Sequence, residues 1–387
     1  MAGGGVTARR RRPSPFVRTY ERLGQRLGAS LFEEVRAGAS LRPRLTPGKV
    51  AALLIAGAVH GVTLVALVGG ILLIVLPWPN PGTIFLGVLC LLVGWSIRPR
   101  LGGPPRDLVG PHDAPALHDL VRRTSEHMGV RRLRGIAVSA EWNASVAQVG
   151  WRRRRYLTIG LPLLTVLGPQ ERVAVLAHEL GHLVNGDPRR SGFLGTAMQT
   201  LVGWYLLLRP YGGARSGIVE VVLDAFLRLP RTVVVWTWAV LVHLVFRATQ
   251  RAEYLADALA RRVAGTEASA GAMRRMSLGS YYRQAVQTAA LRPGRQTTIF
   301  DAFREHMRSD QGQEAEQVAR REIRQGFRLD ATHPPTAYRI RFLEARQVQP
   351  EITLSAAASA AIDDELRPLE RRLQDQLIDA YRDSLYY

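Results

Sequence analysis

The chain is almost without cysteine and almost without lysine. A single cysteine, Cys90, excludes an internal disulfide framework and a cysteine-rich metal module, so any bound metal must be held by histidine and carboxylate. Lys49 is the one lysine among 52 basic residues, and the formal charge of +20 is therefore carried by arginine. That bias follows most simply from a GC-rich genome. An excess of this size admits nucleic acid, an anionic membrane face or an acidic partner. The arginines flank long apolar runs, which favours the membrane, and no nucleic-acid partner is expected.

Residues 1–48 also lack apolar periodicity. They hold Arg9, Arg10, Arg11 and Arg12 with Pro13, Pro15, Pro43 and Pro47, and read as a mobile basic tail. A short amphipathic helix over residues 16–35 would suit a membrane surface. Charge is then absent from residues 50–76, a run of about 40 Å at helical rise against about 30 Å of hydrocarbon. A Pro-rich turn and a second apolar run, 83–97, complete a transmembrane hairpin over 49–98. Arg42, Arg44 and Lys49 precede it and Arg98, Arg100 and Arg106 follow it, placing both ends in the cytoplasm of a multi-pass cell-membrane protein.

A soluble composition begins near residue 111. Leu117, Leu120, Val121 and Met128 mark a helix closed by Gly129. A β segment at 134–138 follows, then a strand pair, 144–149 and 156–160, around a turn bearing Arg152, Arg153, Arg154 and Arg155. A helix is expected over 169–184. Two apolar stretches, 192–208 and 232–246, are separated by a mixed segment with Glu220, Asp224 and Arg228 on one helical face. They form either a second membrane hairpin within 192–246 or an amphipathic hairpin buried in the domain. Pro334-Pro335 breaks the following helical pattern, and 347–387 reads as a C-terminal helical tail.

Within the 169–184 helix stands His178-Glu179-Leu180-Gly181-His182, an H-E-x-x-H motif. Residues four apart project from one face of a helix, so both imidazoles can reach one ion. Zn²⁺ accepts neutral imidazole readily, and a catalytic site keeps three protein ligands and an open position for water. Glu179 can accept a proton from that water. The third ligand must come from another element; Glu253, 71 residues beyond His182, is the best candidate, with Asp257 one turn further to orient a metal-bound histidine. The alternative for this pair is an exposed acidic face bridged to Arg251 and Arg261.

In these features the chain resembles the HtpX-like family of integral-membrane zinc endopeptidases, to which the CAAX prenyl proteases are related. The resemblance rests on Trp142-Asn143-Ala144-Ser145-Val146-Ala147, on the H-E-x-x-H helix, on Glu253 with Asp257, and on Thr332-His333-Pro334-Pro335 with Arg339. It implies an α+β, mainly helical fold in which a zincin-like metallopeptidase domain with a small sheet, 111–346, follows the membrane hairpin and faces the cytoplasm. It also implies that the strand after Asn143 edges a cleft, where Asn143, Ala144 and Val146 meet an extended substrate by main-chain pairing. His333 and Arg339 are placed near the metal, to stabilise an oxyanion or brace the motif helix. Taken alone, His333 before two prolines is a plain loop residue. The implied cofactor is one Zn²⁺; the implied partners are polypeptides, unfolded or membrane-embedded, and the bilayer. A processing protease for one substrate, such as a prenylated tail, and a silent scaffold of the same fold stand as rival readings. The chain departs from the family where Gly150, Trp151 and four arginines replace a glycine-rich turn after the edge strand.

Overall fold

The structure, a computed structural model, describes residues 29–386 apart from 39–40, 42–44, 132, 186–191, 210–216, 280, 284–285, 288–298, 309–316 and 318–333. Its principal elements are α1 (29–36), α2 (Pro47–Val75), α3 (Pro81–Ile97), β1 (Leu108–Val109), α4 (Pro115–His127), β2 (Gly135–Ser139), β3 (Ala144–Val149), β4 (Arg154–Gly160) and α5 (Leu161–Leu164), followed by α6 (Pro169–Asn185), α7 (Gly192–Leu207), α8 (Ile218–Ala264), α9 (Thr266–Met276), α10 (Ile299–Arg308), α11 (Thr336–Glu344) and α12 (Ala356–Tyr386). Helix dominates and the sheet is small, as expected.

The helices start where their sequences cap them. Thr46 Oγ1 accepts from Lys49 N at 3.2 Å ahead of α2, and Asn80 Oδ1 accepts from Gly82 N and Thr83 N at 3.0 and 3.2 Å ahead of α3. Between them, a Cβ on Gly70 would lie 2.8 Å from Gly87 O, so bare glycine is what lets the two backbones approach. Leu64, Val65, Phe85 and Leu92 point outward and exposed, a surface suited to lipid rather than water.

The two stretches expected at 192–208 and 232–246 behave differently. The first is the separate helix α7. The second merges with the mixed segment before it and the polar segment after it into α8, 47 residues and about 70 Å long, which runs through Pro230. An internal proline removes one backbone hydrogen bond at a cost of about 3 kcal/mol, and no turn residue accompanies it to end the helix. Two described helices, α2 and α8 from Val221 onward, are long and apolar enough to cross a membrane.

The sheet has the order β1-β2-β4-β3, with β2 and β4 parallel and the outer pairs antiparallel. β3 lies at an edge, paired with β4 from Ala144↔Ile159 to Val149↔Arg154. Leu157 and Ile159 of β4 share one buried core with Leu176 and Leu180 of α6, Val263 of α8 and Phe300 of α10.

Both ends of the described chain are more integrated than tails. Leu31, Phe32 and Val35 of α1 are buried against Tyr254, Tyr338 and Phe342, and Glu34 pairs with Arg247 and with Arg251, the latter at 2.8 Å. Within the mobile basic tail expected over 1–48, residues 29–36 are instead a packed helix, because three apolar side chains on one helical turn find a core to enter; residues 1–28 lie outside the described residues. At the other end Ile362, Leu366 and Leu373 of α12 belong to the main core. Glu365 accepts from Ala116 N and Leu117 N at 2.7 and 3.2 Å, capping α4, whose own Ala114 cannot.

Candidate metal centre

Helix α6 is set by its ends and its neighbours. Glu171 reaches back to accept from Gly168 N at 2.7 Å, and the buried Arg172 donates to Leu164 O, Ser359 O and, at 2.7 Å, Asp363. Gly181, inside the motif, faces α8 so closely that an added Cβ would meet Ala256 Cα at 3.1 Å and Cβ at 3.3 Å. This contact between two small residues brings His178 and His182 of one helix against Glu253 and Asp257 of the other.

All four side chains are buried, Glu253 and Asp257 to 2% and 1% exposure. An exposed acidic face is thereby excluded: Arg251 pairs with Glu34, and Arg261 donates to Phe342 O and Leu343 O. His178 Nε2 and His182 Nε2 are 3.2 Å apart, and each lies 3.6 Å from a carboxylate oxygen of Glu253. Three donor atoms about 2.0–2.1 Å from one ion at tetrahedral angles lie about 3.3 Å from one another. The arrangement fits a metal ion held by two imidazoles and one carboxylate. Glu179 is buried beside them, with one ligand atom from each of His178, Glu179 and His182 all within 4.8 Å of one another.

Behind the histidines lies a second layer. His178 Nδ1 is 3.0 Å from Asp257 Oδ1, which fixes the imidazole with Nδ1–H toward the carboxylate and the Nε2 lone pair toward the metal position. Arg339 of α11 grips Asp257 through both oxygens, Nε to Oδ2 at 2.8 Å and Nη2 to Oδ1 at 2.7 Å, and its Nη1 stands 3.6 Å from Glu253. Burial disfavours the imidazolium of His178, but hydrogen bonds to Asp257 and Glu253 outweigh it and raise its pKa to about 9. A cation binding there displaces that proton, so its affinity falls as pH is lowered.

Of the substrate residues expected from sequence, Ala144 and Val146 turn their side chains into the core, leaving only their main chain for any partner, while Asn143 is exposed just before β3 and its carbonyl accepts from Gly160 N at 2.7 Å. Trp142 fixes this start of β3, donating from Nε1 to Met276 O at 2.9 Å and stacking on Tyr282. His333 lies outside the described residues. Helix α1 falls within the amphipathic helix expected over 16–35, but its docking, with Phe32 stacked on Tyr338 at 4.8 Å beside Arg339, was not foreseen, nor was the Arg261 tie between α8 and α11. The apolar triplet Leu31, Phe32 and Val35 was the available sign of the first; nothing local marks Arg261.

Compared with known proteins, the chain is 31% identical over 134 residues to Protease HtpX homolog 1 of Sulfolobus acidocaldarius, covering 32% of this chain and 42% of that protein. It is 26% identical over 176 residues to Protease HtpX of Pseudomonas fluorescens, covering 43% and 56%. The likeness to Protease HtpX homolog of Halobacterium salinarum is 28% over 269 residues, covering 68% and 87%. The chain thus spans about half the length of the first two relatives. No solved structure matches it. Residues 111–347 match peptidase family M48, which takes in α4 to α11 and every residue of the metal centre, and the chain belongs to that family.

Proposed function

We propose that this chain is a membrane-embedded zinc endopeptidase whose catalytic domain faces the cytoplasm. The observation that carries the proposal is the convergence of His178, His182 and Glu253 on one point, with Glu179 beside it. His178, His182 and Glu253 would hold a zinc ion, which would supply Lewis-acid activation of water and of a scissile carbonyl. Glu179 takes the proton of the attacking water and delivers it to the departing amine; no side chain forms a covalent acyl-enzyme. Asp257 holds the tautomer of His178, and Arg339 holds Asp257 while adding positive charge beside the site. The exposed edge of β3 offers main-chain donors and acceptors to an extended segment, which tolerates varied side chains and suits unfolded or membrane-derived polypeptides. Embedding through α2 and α3, and through α7 with the apolar part of α8 as a second hairpin that returns Glu253 to the side of His182, gives a multi-pass topology, and the basic residues flanking the first hairpin support a cytoplasmic domain.

The test is cleavage of casein by the detergent-purified, zinc-loaded chain beside Glu179→Gln. The native chain cleaves; the variant binds one zinc and loses turnover by about 10²–10⁴ fold, the usual contribution of a general base. Undiminished cleavage by the variant overturns the role of Glu179, and zinc bound by neither protein overturns the reading as a whole.

A further inference from the structure

The turn joining β3 to β4 is Gly150-Trp151-Arg152-Arg153. It closes with Arg153 N donating to Gly150 O at 3.0 Å and carries positive φ at Gly150 (69°) and Arg153 (48°), the latter a backbone conformation that L side chains rarely adopt. Trp151 is 89% exposed, the most exposed aromatic side chain among the large hydrophobics on the described surface. Arg152, Arg153 and Arg154 are exposed around it, and none forms an ion pair with a described carboxylate. Neither the catalytic chemistry nor the fold accounts for such a turn.

Its position does. Gly150 N donates to Leu101 O at 2.8 Å, four residues beyond the end of α3, and Arg153 Nε lies 3.1 Å from where a Cβ on Gly192 would stand, at the first residue of α7. The end of α3 is lined by tryptophan and arginine: Arg98 lies over the Trp95 ring at 3.5 Å, and Trp204 Nε1 donates to Ile97 O at 2.8 Å. Indoles with guanidinium groups at the end of an apolar helix are the composition of a membrane–water interface. The turn stands beside that end of α3 and the start of α7.

We propose that the β3–β4 turn is an interfacial clamp, in which Trp151 inserts at the headgroup level and Arg152, Arg153 and Arg154 bind the phosphates of anionic lipids. A guanidinium fork matches phosphate oxygens two at a time. Each basic residue near an anionic leaflet favours the bound state by about fivefold. An acidic polypeptide offers the arginines equal charge but gives Trp151 no apolar layer to enter. The clamp fixes the outer end of β3 to the bilayer while its inner end packs on the motif helix α6. A segment emerging from the membrane therefore meets the edge of β3 first and is led along it toward the metal.

This proposal rests on the bilayer embedding inferred above, and its test separates the two. In a Cys90→Ala background, nitroxide labels are placed at Trp151→Cys and, separately, at Phe85→Cys on the membrane hairpin. Each protein is reconstituted in nanodiscs of phosphatidylcholine with and without a quarter phosphatidylglycerol, and collision of the label with oxygen and with an aqueous nickel chelate is measured. The expected result is a lipid-exposed label at 85 in both compositions, and at 151 a loss of nickel collision of about fivefold or more on adding phosphatidylglycerol. With Trp151 retained, the chain carries phosphatidylglycerol in native mass spectra in preference to phosphatidylcholine, and Arg152→Gln/Arg153→Gln/Arg154→Gln loses that preference. A label at 151 that stays water-exposed in both compositions while that at 85 is in lipid overturns the clamp alone; a label at 85 in water overturns the embedding and the clamp with it. Protection of the 151 label by polyglutamate but not by phosphatidylglycerol also overturns the proposal, in favour of an acidic polypeptide partner.

Discussion

Glu253 and Asp257 sit one turn apart on α8 and do different work because of what each faces. Glu253 looks toward His178 and His182, while Asp257 is turned toward His178 Nδ1 and the fork of Arg339. Replacing Asp257 by asparagine frees the imidazole to adopt the wrong tautomer, and zinc affinity falls by about 10–100 fold, read by competition with a chelating dye. Arg339→Lys keeps the charge but loses the fork, leaving one oxygen of a buried carboxylate without its partner; stability falls by about 1–3 kcal/mol in denaturant unfolding. Equal stability and equal zinc affinity in these variants would remove Arg339 and Asp257 from the account. The motif residues were legible because a helix places i and i+4 on one face whatever surrounds it. Arg339 was suggested by resemblance alone, since nothing local in the sequence says that a guanidinium on α11 will meet a carboxylate 82 positions earlier.

At the level of elements, the crossing of α6 and α8 decides whether the ligands meet. Gly181→Ala adds a Cβ 3.1 Å from Ala256 Cα, and the helices must move apart. A loss of about 1–3 kcal/mol follows, with weaker zinc binding, and Ala256→Gly in the same chain restores part of both. If Gly181→Ala binds zinc as the native chain does, the crossing is not what sets the site. Helix α1 braces α8 and α11 through Phe32 on Tyr254 and Tyr338. Phe32→Ala is expected to cost about 3 kcal/mol, visible as a lower melting temperature. Three of the four described strands were readable from alternation, with β3 falling at 144–149 as its pattern indicated, whereas the two-residue β1 is too short to show a pattern. The length of α8 was not: its apolar, mixed and polar portions each have a different surrounding, so no single periodicity runs through all 47 residues. A helix at the position of α1 was legible, but its burial was not, because the arginines and prolines around it suited a membrane surface rather than a core.

On the scale of the whole molecule, one long helix joins the apolar helices to the candidate metal centre. α8 packs against α2 and α7 through Val234, Leu241 and Val245, and about two turns later carries Glu253 to the motif helix. The apolar helices α2 and α7 and the candidate metal centre therefore share a long helix, and the geometry of the candidate ligands depends on the packing of both. The helical tail foreseen beyond residue 347 is helical, and its apolar face fills the core beside α4 and α6; that docking was hidden because an amphipathic helix does not name its partner. The most direct test of the account is zinc analysis with zinc-edge X-ray absorption on the detergent-purified chain and on Glu253→Ala. The account predicts one zinc per chain, ligated by two imidazoles and oxygen donors, with binding weakened or lost when Glu253 is removed. A chain that binds no zinc, or a zinc site without imidazole ligands that is indifferent to Glu253, would contradict it.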